Sequence, residues 1–72
     1  MTADLELDCR GMLCPLPVIM LAKRLPEVAV GETVAVLADD PAAAVDIPAW
    51  CRMRSQELVL ADGELYLVRR LS

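Results

Sequence analysis

The chain has no histidine and no phenylalanine among its 72 residues, and only one tryptophan, one tyrosine and three glycines. The missing imidazole removes Cys–His nucleophilic catalysis of the protease kind, histidine acid–base chemistry and most zinc sites. With so few aromatics, the 57% of the chain that is hydrophobic must build its core from Val, Leu, Ile, Ala and Met. No apolar run approaches the roughly 18 residues of a membrane-spanning helix, and Met1-Thr2-Ala3-Asp4 has neither the basic nor the apolar region of a signal peptide. The expectation is a cytoplasmic chain. Basic residues are also scarce: seven against eleven acids leave a net charge of −4, with no stripe dense enough to neutralise many phosphates. Stable nucleic-acid binding by this chain alone is not expected, whereas a basic patch on a protein partner would be welcome. Three cysteines are an odd count in what should be a reducing compartment, so free thiols are expected rather than a disulfide framework. The sequence has no Cys-x-x-Cys, phosphate loop or dinucleotide fingerprint. Cys9, Cys14 and Cys51 could supply only a three-thiolate metal site, and their spacing fits no common zinc ribbon, so neither a metal nor a resident cofactor is expected.

What is present centres on Cys14-Pro15-Leu16-Pro17. Proline is favoured at the first helical position, where its fixed φ suits a helix start and its missing N–H would have had no partner. This reading makes Cys14 the N-cap and Pro15 the first helical residue, with Pro17 still inside the first turn. A thiol there meets the positive end of the helix dipole and the free amides of Leu16 and Val18, which predicts a lowered pKa. Arg10 would lower it further, while Asp8, Asp39 and Asp40 would raise it, and the sign of the sum stays open. The plainer alternative is that Cys14 is a small buried residue at a proline-stiffened junction.

In chain order, Asp4-Leu5-Glu6-Leu7-Asp8 alternates as a half-buried strand does. Gly11 then permits a positive φ or a close backbone approach before Cys14. The spacing predicts a first helix from Pro15 to Pro26 or Val28, with Val18, Leu21, Ala22 and Leu25 as its buried stripe. Leu16, Ile19 and Met20 fall outside that stripe and form an apolar collar beside Cys14, either extra core or a docking surface. Thr33 to Ala38 reads as the second strand, parallel to the first through a right-handed crossover. Asp40-Pro41 repeats the helix-start grammar, and a second helix is expected over 41–54 with a defect near 47, because Pro48 disfavours helical geometry at Ile47. Asp62-Gly63 between two β-rich runs signals a hairpin. The expected fold is α/β: one domain over 1–72, a two-layer βαβαββ sandwich with two helices on one face of a four-stranded mixed sheet.

The chemistry that survives is a lone activated thiolate receiving a group from an already activated sulfur, since no base accompanies it. Cys51 sits mid-helix and reads as packing, as does Trp50, and Cys9 is a possible resolving thiol. A thiol-based redox or regulatory interaction module without sulfur transfer is the competing class.

Taken together, Leu7-Asp8, Gly11-Met12-Leu13-Cys14-Pro15-Leu16-Pro17-Val18, Gly31-Glu32-Thr33, Ala38-Asp39-Asp40-Pro41 and Asp46-Ile47-Pro48-Ala49-Trp50-Cys51 closely resemble the TusA/SirA-like family of small sulfur-carrier proteins. The resemblance implies the same βαβαββ sandwich. It also implies that Cys14 accepts sulfane sulfur as a persulfide from a cysteine desulfurase or a rhodanese-like sulfurtransferase and passes it to a downstream acceptor protein. In that picture Pro15, Pro17, Gly11 and Arg10 shape the site, Leu16, Ile19 and Met20 help partners dock, and the transient persulfide sulfur is the only cargo. The expected protein is a monomeric carrier acting with partner enzymes, without turnover of its own. Members of the family are associated with tRNA thiolation, molybdenum-cofactor maturation and sulfur oxidation; those acting in tRNA thiolation tend to carry an acidic residue where this chain has Leu16.

Overall fold

The computed structural model describes residues 3–72. Met1 and Thr2, on which the signal-peptide expectation partly rests, lie outside the described residues. The elements follow in the order β1 (Leu5–Asp8), α1 (Leu16–Arg24), a 3-10 turn (Leu25–Glu27), β2 (Thr33–Leu37), α2 (Ala43–Arg54), β3 (Glu57–Asp62) and β4 (Leu65–Arg69). The four strands form one mixed sheet in the order β1-β2-β4-β3, with β1 parallel to β2 and the other pairs antiparallel.

Register decides which side chains meet the helices. Leu7 lies opposite Val36, Val36 opposite Tyr66, Val34 opposite Val68, and Val68 opposite Leu58, so alternate positions of all four strands share one face. Leu7, Val34, Val36, Tyr66 and Val68 are buried there in one cluster with Leu21, Leu25, Ile47 and Trp50 from the helical layer. Both helices therefore cover the same face, giving the expected two-layer α/β sandwich. Complete burial of a Leu, Ile or Val side chain contributes about 1.5–3 kcal/mol, so this single cluster carries the fold. No helix is long and apolar enough to cross a membrane among the described residues.

Several boundaries differ from the sequence expectation. α1 ends at Arg24 and tightens into the 3-10 turn, with Val28 N–H donating to the Leu25 carbonyl at 3.1 Å. Pro26 is the cause: it lacks the N–H that would bond Ala22, so the α ladder cannot continue through it. The buried stripe of α1 and this turn is Pro17, Leu21 and Leu25, whereas Val18 is half-buried and Ala22 exposed. α2 begins at Ala43, two residues later than expected, because Asp40 first makes a turn in which its backbone carbonyl accepts the Ala43 N–H at 2.9 Å. Pro48 lies inside α2 without ending it. The carbonyl it orphans belongs to Ala44, an exposed residue within reach of water. The hairpin loop is Gly63-Glu64, since Asp62 still pairs with Leu65; Gly63 takes φ 59°.

Candidate functional site

The loop after β1 and the loop after β2 both end at the same edge of the layered structure, as the parallel pairing of these strands requires. Two carboxylates from the second loop tie down the first. Asp39 Oδ1 accepts the Gly11 N–H at 2.9 Å, and Asp40 Oδ2 accepts the Cys14 N–H at 2.8 Å. The other oxygen of Asp40 accepts the Ala42 N–H at 3.1 Å. One side chain thus organises the approaches to both helices, and these two amide bonds hold the Asp40 pKa below the ordinary carboxylate value. Gly11 stands at φ +83°, the left-handed region that glycine occupies without a Cβ penalty.

Cys14 is exposed, but it is not the N-cap. Pro15 occupies that place, with φ −101° and ψ 20°, and accepts the Ile19 N–H at 3.1 Å. The Cys14–Pro15 peptide is cis. The Leu16 amide, expected to face the sulfur, donates instead to the Leu13 carbonyl at 2.9 Å. The sulfur's partner comes from 32 residues away: Cys14 Sγ donates to Asp46 Oδ2 at 2.6 Å. That hydrogen bond, followed by desolvation and the charges of Asp46 and Asp40, raises the Cys14 pKa. The sign that residue order left open is thus upward, against the lowering expected from the helix dipole alone. An acceptor-only carboxylate stabilises the S–H form and repels the thiolate, and the Leu16 amide, one of the two expected to oppose it, is spent elsewhere.

Arg10 does not serve the sulfur. Its guanidinium forks onto Asp8, with Nε to Oδ1 at 2.9 Å and a terminal nitrogen to Oδ2 at 2.8 Å, and holds the Asp8 pKa down at about 2. Cys9 and Cys51 are buried, and burial raises both thiols. Cys51 is thus packing, as its mid-helix place suggested, and Cys9, at 1% exposure, is not presented to a sulfur at Cys14. Of the apolar collar, Leu16 (48% exposed) and Ile19 (50%) face outward, while Met20 is half-buried against the core.

A groove of about 270 Å³ runs from Cys14 between the helices, walled by Pro15 and Val18 on one side and by Asp46, Ala49, Trp50 and Met53 on the other. Asp46 and the α2 wall were missed from sequence. A signal existed: positions 46, 49, 50 and 53 follow the i, i+3, i+4, i+7 spacing of one helix face. The helix expected over 41–54 already contained it, but nothing in residue order says that this face meets Cys14. The larger concavity, about 430 Å³ at the other end of the helix pair, contains no cysteine.

The fold and site define a small βαβαββ protein with one exposed thiol at a proline-marked helix start. The comparison with known families gives the class: the family model described as Sulfurtransferase TusA matches residues 5–70. The chain belongs to that family, whose members carry or transfer sulfur in concert with donor and acceptor partners. The crystal structure of a SirA-like protein from Desulfitobacterium hafniense is similar, with 27% identity and a TM-score of 0.57 over 89% of this chain and 90% of that one.

Proposed function

We propose that this protein is a sulfur carrier whose working atom is Cys14 Sγ. The Cys14 thiolate attacks the outer sulfur of a donor persulfide, R–S–SH. A new Sγ–S bond forms, the donor S–S bond breaks, and the donor leaves as a thiolate that takes up the proton Cys14 gave up. The sum, R–S–SH plus Cys14–SH giving R–SH plus Cys14–S–SH, moves one sulfane sulfur without net oxidation. A cysteine desulfurase or a rhodanese-like enzyme is the donor, and a downstream protein receives the sulfur by the same exchange in reverse roles. Gly11, Pro15 and Pro17 shape the loop and helix start that present the sulfur, and Arg10 acts on that loop through Asp8. Leu16, Ile19 and the rim of Met20 meet the partner. The carrier works in the cytoplasm as a monomer, with no resident cofactor.

The observation that carries this reading is selective exposure: of three cysteines, Cys14 is exposed and the other two are buried. The test is intact mass after incubating the reduced protein with a cysteine desulfurase and cysteine, followed by peptide mapping. One added sulfur, removable by reductant and mapped to Cys14, is expected. Cys14→Ser should fold normally and gain none, and Cys51→Ser should still load. Undiminished loading of the Cys14→Ser protein refutes the assignment.

A further inference from the structure

The 2.6 Å hydrogen bond from Cys14 to Asp46 is at odds with a sulfur that has to attack as a thiolate. A carboxylate beside it favours the protonated, unreactive form. The charged groups acting on Cys14 are Asp46 of α2 and Asp40 of the loop before it, both acidic; the basic residues of α1, Lys23 and Arg24, lie in its last turn. The ion pairs among the described residues join Arg10 to Asp8, Arg24 to Glu27 and Arg69 to Glu57, so none engages Asp39, Asp40 or Asp46. Asp39 and Asp40 spend oxygens on backbone amides. The hydrogen bond found for the Asp46 carboxylate is the one from the thiol.

We propose that Asp46 is a positioning residue that keeps Cys14 protonated and aimed along the groove in the free carrier, and that a sulfur donor releases the thiolate by bringing a guanidinium or ammonium group onto the Asp46 carboxylate. This rests on the sulfur-carrier reading of Cys14. When the donor's cation takes the carboxylate, the thiol loses its acceptor and the charge that disfavoured ionisation. Its proton passes to solvent, and the thiolate attacks the donor's outer sulfur, the departing donor thiolate regaining a proton. The carrier would then be poorly reactive toward stray electrophiles and become nucleophilic only against a basic docking surface. Such a surface also suits the net charge of −4.

The pH profile of Cys14 alkylation by iodoacetamide tests the first half, with Cys14→Ser protein giving the background of the buried thiols. In Asp46→Asn the inflection should fall by about one unit or more. Because a less basic thiolate is also less nucleophilic, the rate at pH 7 should rise only about threefold. An unmoved inflection in a folded variant, judged by circular dichroism, overturns the proposal. The second half needs no variant. Wild-type protein should react with the dication cystamine in preference to the neutral 2-hydroxyethyl disulfide, by several-fold beyond the preference of N-acetylcysteine amide. That excess should shrink as salt rises, and no excess at low salt refutes release by a cation. Sulfur loading followed in parallel separates the two readings. Failure to load, with the inflection and the disulfide preference as expected, refutes the carrier and leaves the restraint on the thiol standing. Normal loading with neither effect refutes the restraint alone.

Discussion

The start of α1 and the approach to α2 are both marked by proline after a short polar or thiol side chain, Cys14-Pro15 and Asp40-Pro41, yet they do different work. At the first, Cys14 is exposed and the apolar residues that follow, Leu16 and Ile19, are half out in solvent. At the second, Asp40 satisfies two amides, and α2 drives Ile47 into the core at 0% exposure. The difference is one of helix starts: the first turn of α1 offers a surface, and only further along does Leu21 bury as fully as Ile47 does in α2. It is α2, packed beside that exposed start, that supplies the carboxylate next to the sulfur.

Truncating the anchor should have the largest effect. Ile47→Ala empties a fully buried site and should cost about 2–5 kcal/mol in urea unfolding. Ile19→Ala, at the half-exposed position, should stay within about 0.5 kcal/mol. Equal costs would erase the distinction between the offered start of α1 and the anchored turn of α2. Asp40→Ala should disturb both helix starts at once, because the Cys14 and Ala42 amides lose one shared acceptor. The expected readout is a lower urea midpoint together with faster amide exchange at Cys14 and at Ala42. Protection lost at only one of them would show that the two helix starts are independent.

Gly11→Ala should cost about 1–2 kcal/mol. Nothing lies within 4 Å of the added Cβ, so the penalty comes from φ +83° rather than from a clash. The smallest effect belongs to Arg10. With Arg10→Ala, the Asp8 carboxyl should titrate above about 2 but stay below the usual aspartate range, because the residue-10 backbone N–H still donates to Oδ1 at 3.1 Å, read by NMR. The sign of the linkage follows from that depressed value. The Asp8 contribution is fully present above the unfolded pKa and is lost as pH falls from about 4 toward 2. Wild type should therefore lose stability over that window, and Arg10→Ala should lose less.

Much of this molecule was legible in one dimension because its signals are local. Leu5 and Leu7 alternate with acids, a short polar loop separates β3 from β4, and Leu21 and Leu25 recur with helical spacing through α1 and its 3-10 turn; each pattern reports a backbone period or break that neighbours in sequence suffice to set. Local too were the free state of the thiols and the choice of Cys14, which stands alone at a proline-marked junction. Ends of elements were less legible. Pro26 and Asp40 can each extend or interrupt a helix, and the choice rests on single hydrogen bonds such as Val28 to Leu25 and Ala43 to Asp40.

The site chemistry was decided in three dimensions. Thirty-two residues separate Cys14 from Asp46, and they become neighbours because β1 and β2 run parallel and deliver their following loops to one edge. Residue order alone established a thiol at a helix start, with the helix dipole as its apparent influence. The folded chain spends the Leu16 amide on Leu13 and brings a carboxylate to the sulfur. A hydrogen bond at 2.6 Å from the thiol outweighs a partial dipole whose Leu16 amide is spent on Leu13, so the sign of the pKa shift belonged to the tertiary structure.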